Sequence, residues 1–100
     1  MSNDPPVTTT SSSLVGPVLR SGPVSSALVD ALRAQNTAVE VVDRGAYLRV
    51  LAPQRLVLER TAAESALGRP FLLPGELELV MISFSGRISV TDERAEWFAR

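Results

Sequence analysis

Over 100 residues, ten basic residues face eleven acidic ones for a formal net charge of −1, and the chain contains no histidine, cysteine or lysine. Catalysis near neutral pH usually draws on imidazole, thiolate or a depressed-pKa amine, and zinc, iron and copper sites lean on His and Cys, so a protein that works by binding is expected ahead of an enzyme. The charge balance carries no nucleic-acid footprint, no apolar run approaches the roughly 20 residues of a membrane span, and the polar start Met1-Ser2-Asn3-Asp4-Pro5-Pro6 is not a secretory signal, so a cytoplasmic address is expected.

Residues 1–13 hold two prolines and then a Thr and Ser run. They offer too little to bury against the ordering entropy and read as a disordered tail. Residues 14–100 are expected to form one α+β domain. Residues 14–20 read as a strand interrupted by Gly16-Pro17, hence an edge strand or a bulged one, because proline cannot donate to a ladder. Ser21-Gly22-Pro23 then starts a helix. Its Val24, Ala27, Leu28, Ala31 and Leu32 recur at three- and four-residue spacing, with Ser25, Ser26, Asp30 and Arg33 outside that face. Gln35-Asn36-Thr37 ends it. A hairpin follows, turning at Arg44-Gly45. On its return strand Leu48 and Val50 share one face, and Tyr47, Arg49 and Leu51 share the other.

Residues 55–60 read as a further strand with Leu56 and Leu58 on one face. Thr61-Ala62-Ala63-Glu64 matches a capping box opening a short helix that closes at Gly68. Arg69 to Gly75 is a loop held between two prolines, with Phe71 inserted into the core. From Glu76 onward the alternation predicts a strand that becomes apolar on both faces, and therefore central or covered. Ser85-Gly86 marks a bulge or tight turn, after which residues 87–90 pair back or continue the sheet. Thr91-Asp92-Glu93 caps a final short helix carrying Trp97 and Phe98. The predicted order is strand, helix, strand, strand, twice over, around one core with a short C-terminal helix.

Chemistry-bearing constellations are sparse. Glu76 and Glu78 would share a strand face, and a solvated face is the better reading than a carboxylate pair. Asp43 beside Arg44 can fix the hairpin turn by charge-assisted hydrogen bonds. Alternatively, Arg44, Tyr47 and Arg49 present a recognition face, since Tyr and Arg are favoured interface anchors. The isolated glycines at 16 and 86 make no phosphate cradle.

Four stretches in register carry a resemblance: Val15-Gly16-Pro17-Val18-Leu19-Arg20, Asp43-Arg44-Gly45-Ala46-Tyr47-Leu48-Arg49-Val50, Leu67-Gly68-Arg69-Pro70-Phe71 and Ser83-Phe84-Ser85-Gly86-Arg87-Ile88. Together they resemble the effector (coupling, or regulatory) proteins of bacterial multicomponent diiron monooxygenases, most of all the toluene, alkene and isoprene group. The resemblance spans about Leu14 to Phe98. It implies a protein with no metal or organic cofactor that docks on a diiron hydroxylase. Docking changes the geometry around the metal centre and raises the rate and coupling of hydrocarbon oxidation. Electrons come from a separate reductase, in some systems through a Rieske-type ferredoxin. The free effector is expected to be a monomer, and its contact residues are expected to be Arg20, Arg44, Tyr47, Arg69 and Ser85. Gly16, Pro17, Gly68, Pro70 and Gly86 are assigned to backbone geometry. Relatives commonly carry Asn where this chain has Leu14, and its Arg20-Ser21-Gly22-Pro23 builds the helix start differently. The competing reading is a small-molecule-sensing α+β domain, which needs an apolar pocket with a few convergent polar groups.

Overall fold

The protein, as a computed structural model, is described over residues 13–100. The tail expected over residues 1–13 therefore lies outside the described residues, apart from Ser13. The carbonyl of Ser13 accepts the Gln54 N–H at 2.8 Å. In chain order the elements are β1 (Leu14–Arg20), α1 (Pro23–Gln35), β2 (Glu40–Asp43), β3 (Tyr47–Pro53), β4 (Arg55–Glu59), α2 (Arg60–Leu67), α3 (Gly75–Val80), β5 (Met81–Ser85), β6 (Arg87–Val90) and β7 (Arg94–Phe98). Two antiparallel sheets form, one in the order β2–β3–β1–β5 and the other β4–β7–β6. The α+β class is as expected, but the last element is a strand and not a helix.

β1 is central, not an edge. It pairs with β3 through Leu14, Val15, Val18, Leu19 and Arg20, and the pairing lapses only at Gly16 and Pro17. On its other side the register with β5 shifts between Val18 and Leu19, so Ile82 is the extra residue of a bulge on β5. Gly-Pro is tolerated inside the sheet because the ladder leaves both residues out on the β3 side. Gln54 joins the sheets, its N–H bonded to Ser13 and its carbonyl accepting the Ala99 N–H at 2.9 Å.

One core serves both sheets. Val15, Leu19, Val50 and Ala52 from the first meet Leu56, Leu58, Ala95 and Trp97 from the second, with Leu28 and Leu32 of α1, Ala63 of α2 and Phe71 of the loop. In the second sheet Leu56, Trp97 and Ile88 stand in one rung, and Leu58, Ala95 and Val90 in the next. α1 keeps its predicted span and most of its apolar stripe. Ser25, expected outside, is buried and donates its hydroxyl to the Arg20 carbonyl, which ties the helix start to the end of β1. At the other end of α1, side-chain amides serve the free edge of β4. Asn36 Oδ1 accepts the Val57 N–H at 3.0 Å and its Nδ2 donates to the Val57 carbonyl at 2.8 Å, while Gln35 Oε1 accepts the Glu59 N–H at 2.9 Å.

Three local expectations fail because tertiary partners claim the groups involved. The capping box does not form: the N-cap is Glu59, with no side-chain cap bond, since β4 runs straight into α2 and the Arg60 N–H donates to the Glu93 carbonyl at 2.8 Å. Glu64 turns away to accept the Phe71 N–H at 3.0 Å. Gly68 does close the helix in the left-handed conformation, and Phe71 is buried as expected. Next, residues 75–80 are helical where a strand was expected. Leu77 is buried and Val80 half-buried, at helical spacing, while Leu79 is exposed. Glu76 and Glu78 consequently do not face each other. Lastly, the Thr91 hydroxyl accepts the N–H groups of Glu93 at 3.2 Å and Arg94 at 3.3 Å, closing a β6–β7 turn instead of capping a helix. The alternation of buried Ala95 and Trp97 with half-buried Glu96 is that of a strand.

The Leu72 N–H, and after it the Arg69 guanidinium, hold the Glu76 carboxyl below its ordinary range. A carboxyl depressed in the folded state contributes stability that is complete above its unfolded pKa and is lost as pH falls through the folded value. Thermal unfolding between about pH 7 and about pH 3 should therefore show Glu76→Gln losing less of its Tm than the wild type does. Equal losses would place the acid sensitivity in other groups.

Candidate functional site

The strand registers gather one set of side chains on the side of the four-stranded sheet turned away from the core. Arg20 stands opposite Tyr47, and Val18 opposite Arg49. Across β1, Ser83 and Ser85 stand opposite Val18 and Gly16. Across β3, Val42 stands opposite Arg49 and Glu40 opposite Leu51. Because successive side chains alternate, Tyr47, Arg49, Leu51, Val18 and Arg20 share this face, while Leu19, Val50 and Ala52 fill the core beneath it. Tyr47 is 37% exposed. Arg49 Nη2 reaches across β1 to Ser85 Oγ at a long 3.5 Å.

The hairpin turn that carries Arg44 is held by backbone groups and by Asp43. Asp43 Oδ1 accepts the Gly45 N–H at 2.8 Å, and the Arg44 N–H donates to the Tyr47 carbonyl at 2.9 Å. β1 braces the same turn: the Ser21 N–H donates to Ala46 at 3.0 Å and its hydroxyl to the Gly45 carbonyl at 2.6 Å. The two readings of Asp43-Arg44 thus divide between the residues. Asp43 builds the turn, and the Arg44 side chain is left exposed, with no hydrogen-bond or ion-pair partner among the described residues.

Of the five residues expected to make contacts, Arg20, Arg44 and Tyr47 come together at one end of this sheet. Ser85 lies on the same face toward the other end, half-buried. Arg69 does not join them. It sits in the loop between α2 and α3, where its guanidinium donates to Glu76 Oε1 at 3.0 Å and to the Pro70 carbonyl at 2.9 Å. Arg49, placed by the sequence on a recognition face with Arg44 and Tyr47 but not among the five expected contacts, completes the arginine group opposite Val18. One feature escaped the sequence reading. β5 is an edge strand, although its apolar character predicted a covered one, and Ile82 and Phe84 are 52% and 41% exposed. A strand apolar on both faces signals burial or an interface, and local sequence does not separate the two.

Elsewhere, two clefts stand open to solvent. One is polar and lined by Ser89, Thr91, Asp92, Glu93, Arg94 and Glu96; the other is an alanine-rich groove of Asp30, Ala31, Ala34, Ala62, Ser65 and Ala66 between α1 and α2. Neither is the enclosed apolar pocket with convergent polar groups that a ligand-sensing domain needs. Among the described residues no group of three or more acidic side chains is placed to hold a metal ion, and no helix is long and apolar enough to cross a membrane.

A core-backed sheet that offers arginine and tyrosine on its outer face defines a small α+β binding module. The chain belongs to the MmoB/DmpM family, whose model matches residues 13–98. It is 41% identical over 87 residues to the effector subunit of the alkene monooxygenase system of Xanthobacter autotrophicus (strain Py2), covering 85% of each chain. It also superposes on chains from two structures of a phenol hydroxylase–regulatory protein complex. The first has a TM-score of 0.78 at 28% identity, covering 87% of this chain and 99% of the other. The second has a TM-score of 0.73 at 26% identity, covering 85% and 98%. The family resemblance carried by the four sequence stretches holds.

Proposed function

We propose that this chain is the effector subunit of a multicomponent monooxygenase, a cytoplasmic and non-catalytic protein that binds the hydroxylase component. The observation that carries the reading is the 41% identity to an alkene monooxygenase effector subunit over 85% of both chains. On this reading the outer face of the four-stranded sheet, with Arg20, Arg44, Tyr47 and Ser85, lies against the hydroxylase. Arg69, the fifth expected contact, is paired with Glu76 in the loop before α3 and stays exposed to a partner there. An effector changes the active-site conformation of its partner only if it binds some hydroxylase conformations more tightly than others. That preference would raise the rate of oxygen use and the yield of oxidised aromatic or alkene per NADH. A reductase, with or without a Rieske-type ferredoxin, supplies the electrons without needing to touch this chain. The free effector is a monomer.

The test is to titrate the protein into its hydroxylase with reductase and ferredoxin present, following product and NADH together. Both the rate and the product per NADH should rise and level near one effector per active site. Tyr47→Ala removes a tyrosine at the proposed contact. Such a residue, where it acts as an anchor, is worth more than about 1 kcal/mol, so half-maximal stimulation should need roughly tenfold more protein. Wild-type protein that changes neither quantity, with a competent hydroxylase, would rule the effector reading out.

A further inference from the structure

Seven of the ten arginines fall into two groups that differ in what they touch; Arg33, Arg87 and Arg100, also without an ion pair among the described residues, lie outside both. Arg55 pairs with Glu96, Arg60 Nε lies 3.9 Å from Glu64 Oε2, Arg69 Nη1 3.0 Å from Glu76 Oε1, and Arg94 Nε 3.0 Å from Glu59 Oε2. All four pairs belong to the three-stranded sheet, to α2, or to the loop and helix that follow it. Arg20, Arg44 and Arg49 occupy one end of the four-stranded sheet, all exposed, and among the described residues none has a carboxylate partner. No nearby acid forms an ion pair with them: the Asp43 carboxylate keeps its charge but is turned to the Gly45 N–H, and Glu40 stands beyond Val42, in the rung of Leu51.

These three positive charges surround Tyr47. Arg20 is its cross-strand partner, Arg49 follows two residues along the same face of β3, and Arg44 lies in the turn that the Tyr47 carbonyl closes. Like charges on adjoining strands repel, and the core beneath requires none of them. Formal counts sharpen the asymmetry. Ten basic residues against eleven acidic give −1 for the chain, and setting these three arginines aside leaves seven against eleven, or −4, for the rest. Such a charge distribution orients a protein in the field of a partner before contact is made.

We propose that this end of the sheet is an electrostatic docking point for an acidic surface of the hydroxylase, with Tyr47 as the apolar anchor inside a ring of three arginines. The proposal rests on the effector reading given above. A negatively charged remainder disfavours an extended polyanion such as nucleic acid or an anionic membrane, which would meet the −4 surface as well as the arginines. A bounded acidic patch on a protein meets only the arginines. Charges of this kind act chiefly on the association rate, and salt weakens them once they are separated by more than a Debye length, about 8 Å near physiological ionic strength.

The test is stopped-flow association of the full-length protein with the hydroxylase at several salt concentrations. Wild type is compared with Arg44→Glu, Arg49→Glu and the Arg20→Glu/Arg44→Glu/Arg49→Glu triple variant. Arg33→Glu, on α1, is the control, and thermal unfolding checks that each variant is folded. The wild-type association rate should fall by about tenfold or more between low and physiological salt. The triple variant should associate at least about tenfold more slowly at low salt, with a flattened salt dependence. Arg33→Glu should follow the wild type, and each single reversal should fall between, so the result stands even if the triple variant does not fold. If the wild type stimulates turnover while its association is insensitive to salt and to these reversals, the electrostatic proposal falls and the effector reading survives. If the wild type neither binds nor stimulates, the effector reading falls and takes the proposal with it. Salt-sensitive binding to anionic vesicles or duplex DNA, with no binding to the hydroxylase, would overturn both.

Discussion

Replacing Gly16 with alanine is expected to destabilise the fold by about 3 kcal/mol or more, out of a total of about 5–15 kcal/mol for a domain of this kind. Gly16 has φ +147°, and an added Cβ would sit 2.1 Å from the Val50 carbonyl oxygen and 2.9 Å from its carbon. Both are backbone atoms of the neighbouring strand, so no side-chain rotation relieves the clash. β1 would have to move away from β3. That movement would disturb the pairing of Val18 with Arg49 and of Arg20 with Tyr47, so hydroxylase binding should weaken along with stability. A useful comparison is Gly45→Ala, where φ is also positive, at +83°, but nothing lies within 4 Å of the added methyl. That variant isolates the backbone strain and should lose only about 1–2 kcal/mol. Urea unfolding of the two proteins checks the prediction, and near-equal losses would show that close approach to Val50 is not what requires glycine at position 16.

Trp97→Ala is expected to cost about 3–5 kcal/mol through loss of the largest side chain in the core. The indole is fully buried on the middle strand of the three-stranded sheet, between Leu56 and Ile88. Its Nε1–H finds no acceptor among the described residues. Trp97→Phe retains most of the apolar volume while removing a buried, unpaired donor, so it should cost markedly less than Trp97→Ala. If phenylalanine is as damaging as alanine, the indole N–H has a partner that matters. Trp97 and the arginine end of the proposed docking face lie on different sheets. At temperatures where the phenylalanine variant is folded, its affinity for the hydroxylase should match the wild type.

Elements whose determinants lie within a few residues of one another could be read directly. α1 begins at Pro23 and shows its apolar stripe at helical spacing, the hairpin turns at Arg44-Gly45, and α2 ends at Gly68. Family membership was legible for a related reason, since the four stretches that carry it are short and contiguous. The failures involve groups whose partners lie outside the local pattern that was read. Thr61 and Glu64 have the spacing of a capping box, but Glu64 is claimed by the Phe71 N–H. Thr91-Asp92-Glu93 suits either a helix start or a strand turn, and pairing of residues 94–98 with both β4 and β6 decides for the turn. Leu77, Leu79 and Met81 alternate as in a strand, yet residues 75–80 are helical, with Leu77 buried in the core and Glu76 accepting the Leu72 N–H.

The proposed docking face divides along the same line. Alternation along residues 47–51 was enough to place Tyr47 and Arg49 on one side of a strand and Val50 on the other. Which arginines would remain without a counter-charge could be read locally only in part: Arg60 and Glu64 share one helix and Arg69 lies seven residues from Glu76, but the other two ion pairs join strands far apart in the chain. Arg55 finds Glu96 across 41 residues, and Arg94 finds Glu59 across the same pair of strands. Residue type and spacing therefore determined the locally specified elements and the kind of surface this protein presents. Only the folding of two sheets onto one core decided that Arg55 and Arg94 are held by glutamates of a neighbouring strand while Arg20, Arg44 and Arg49 are left facing outward, because strand order and register set the distances on which such charge pairing depends.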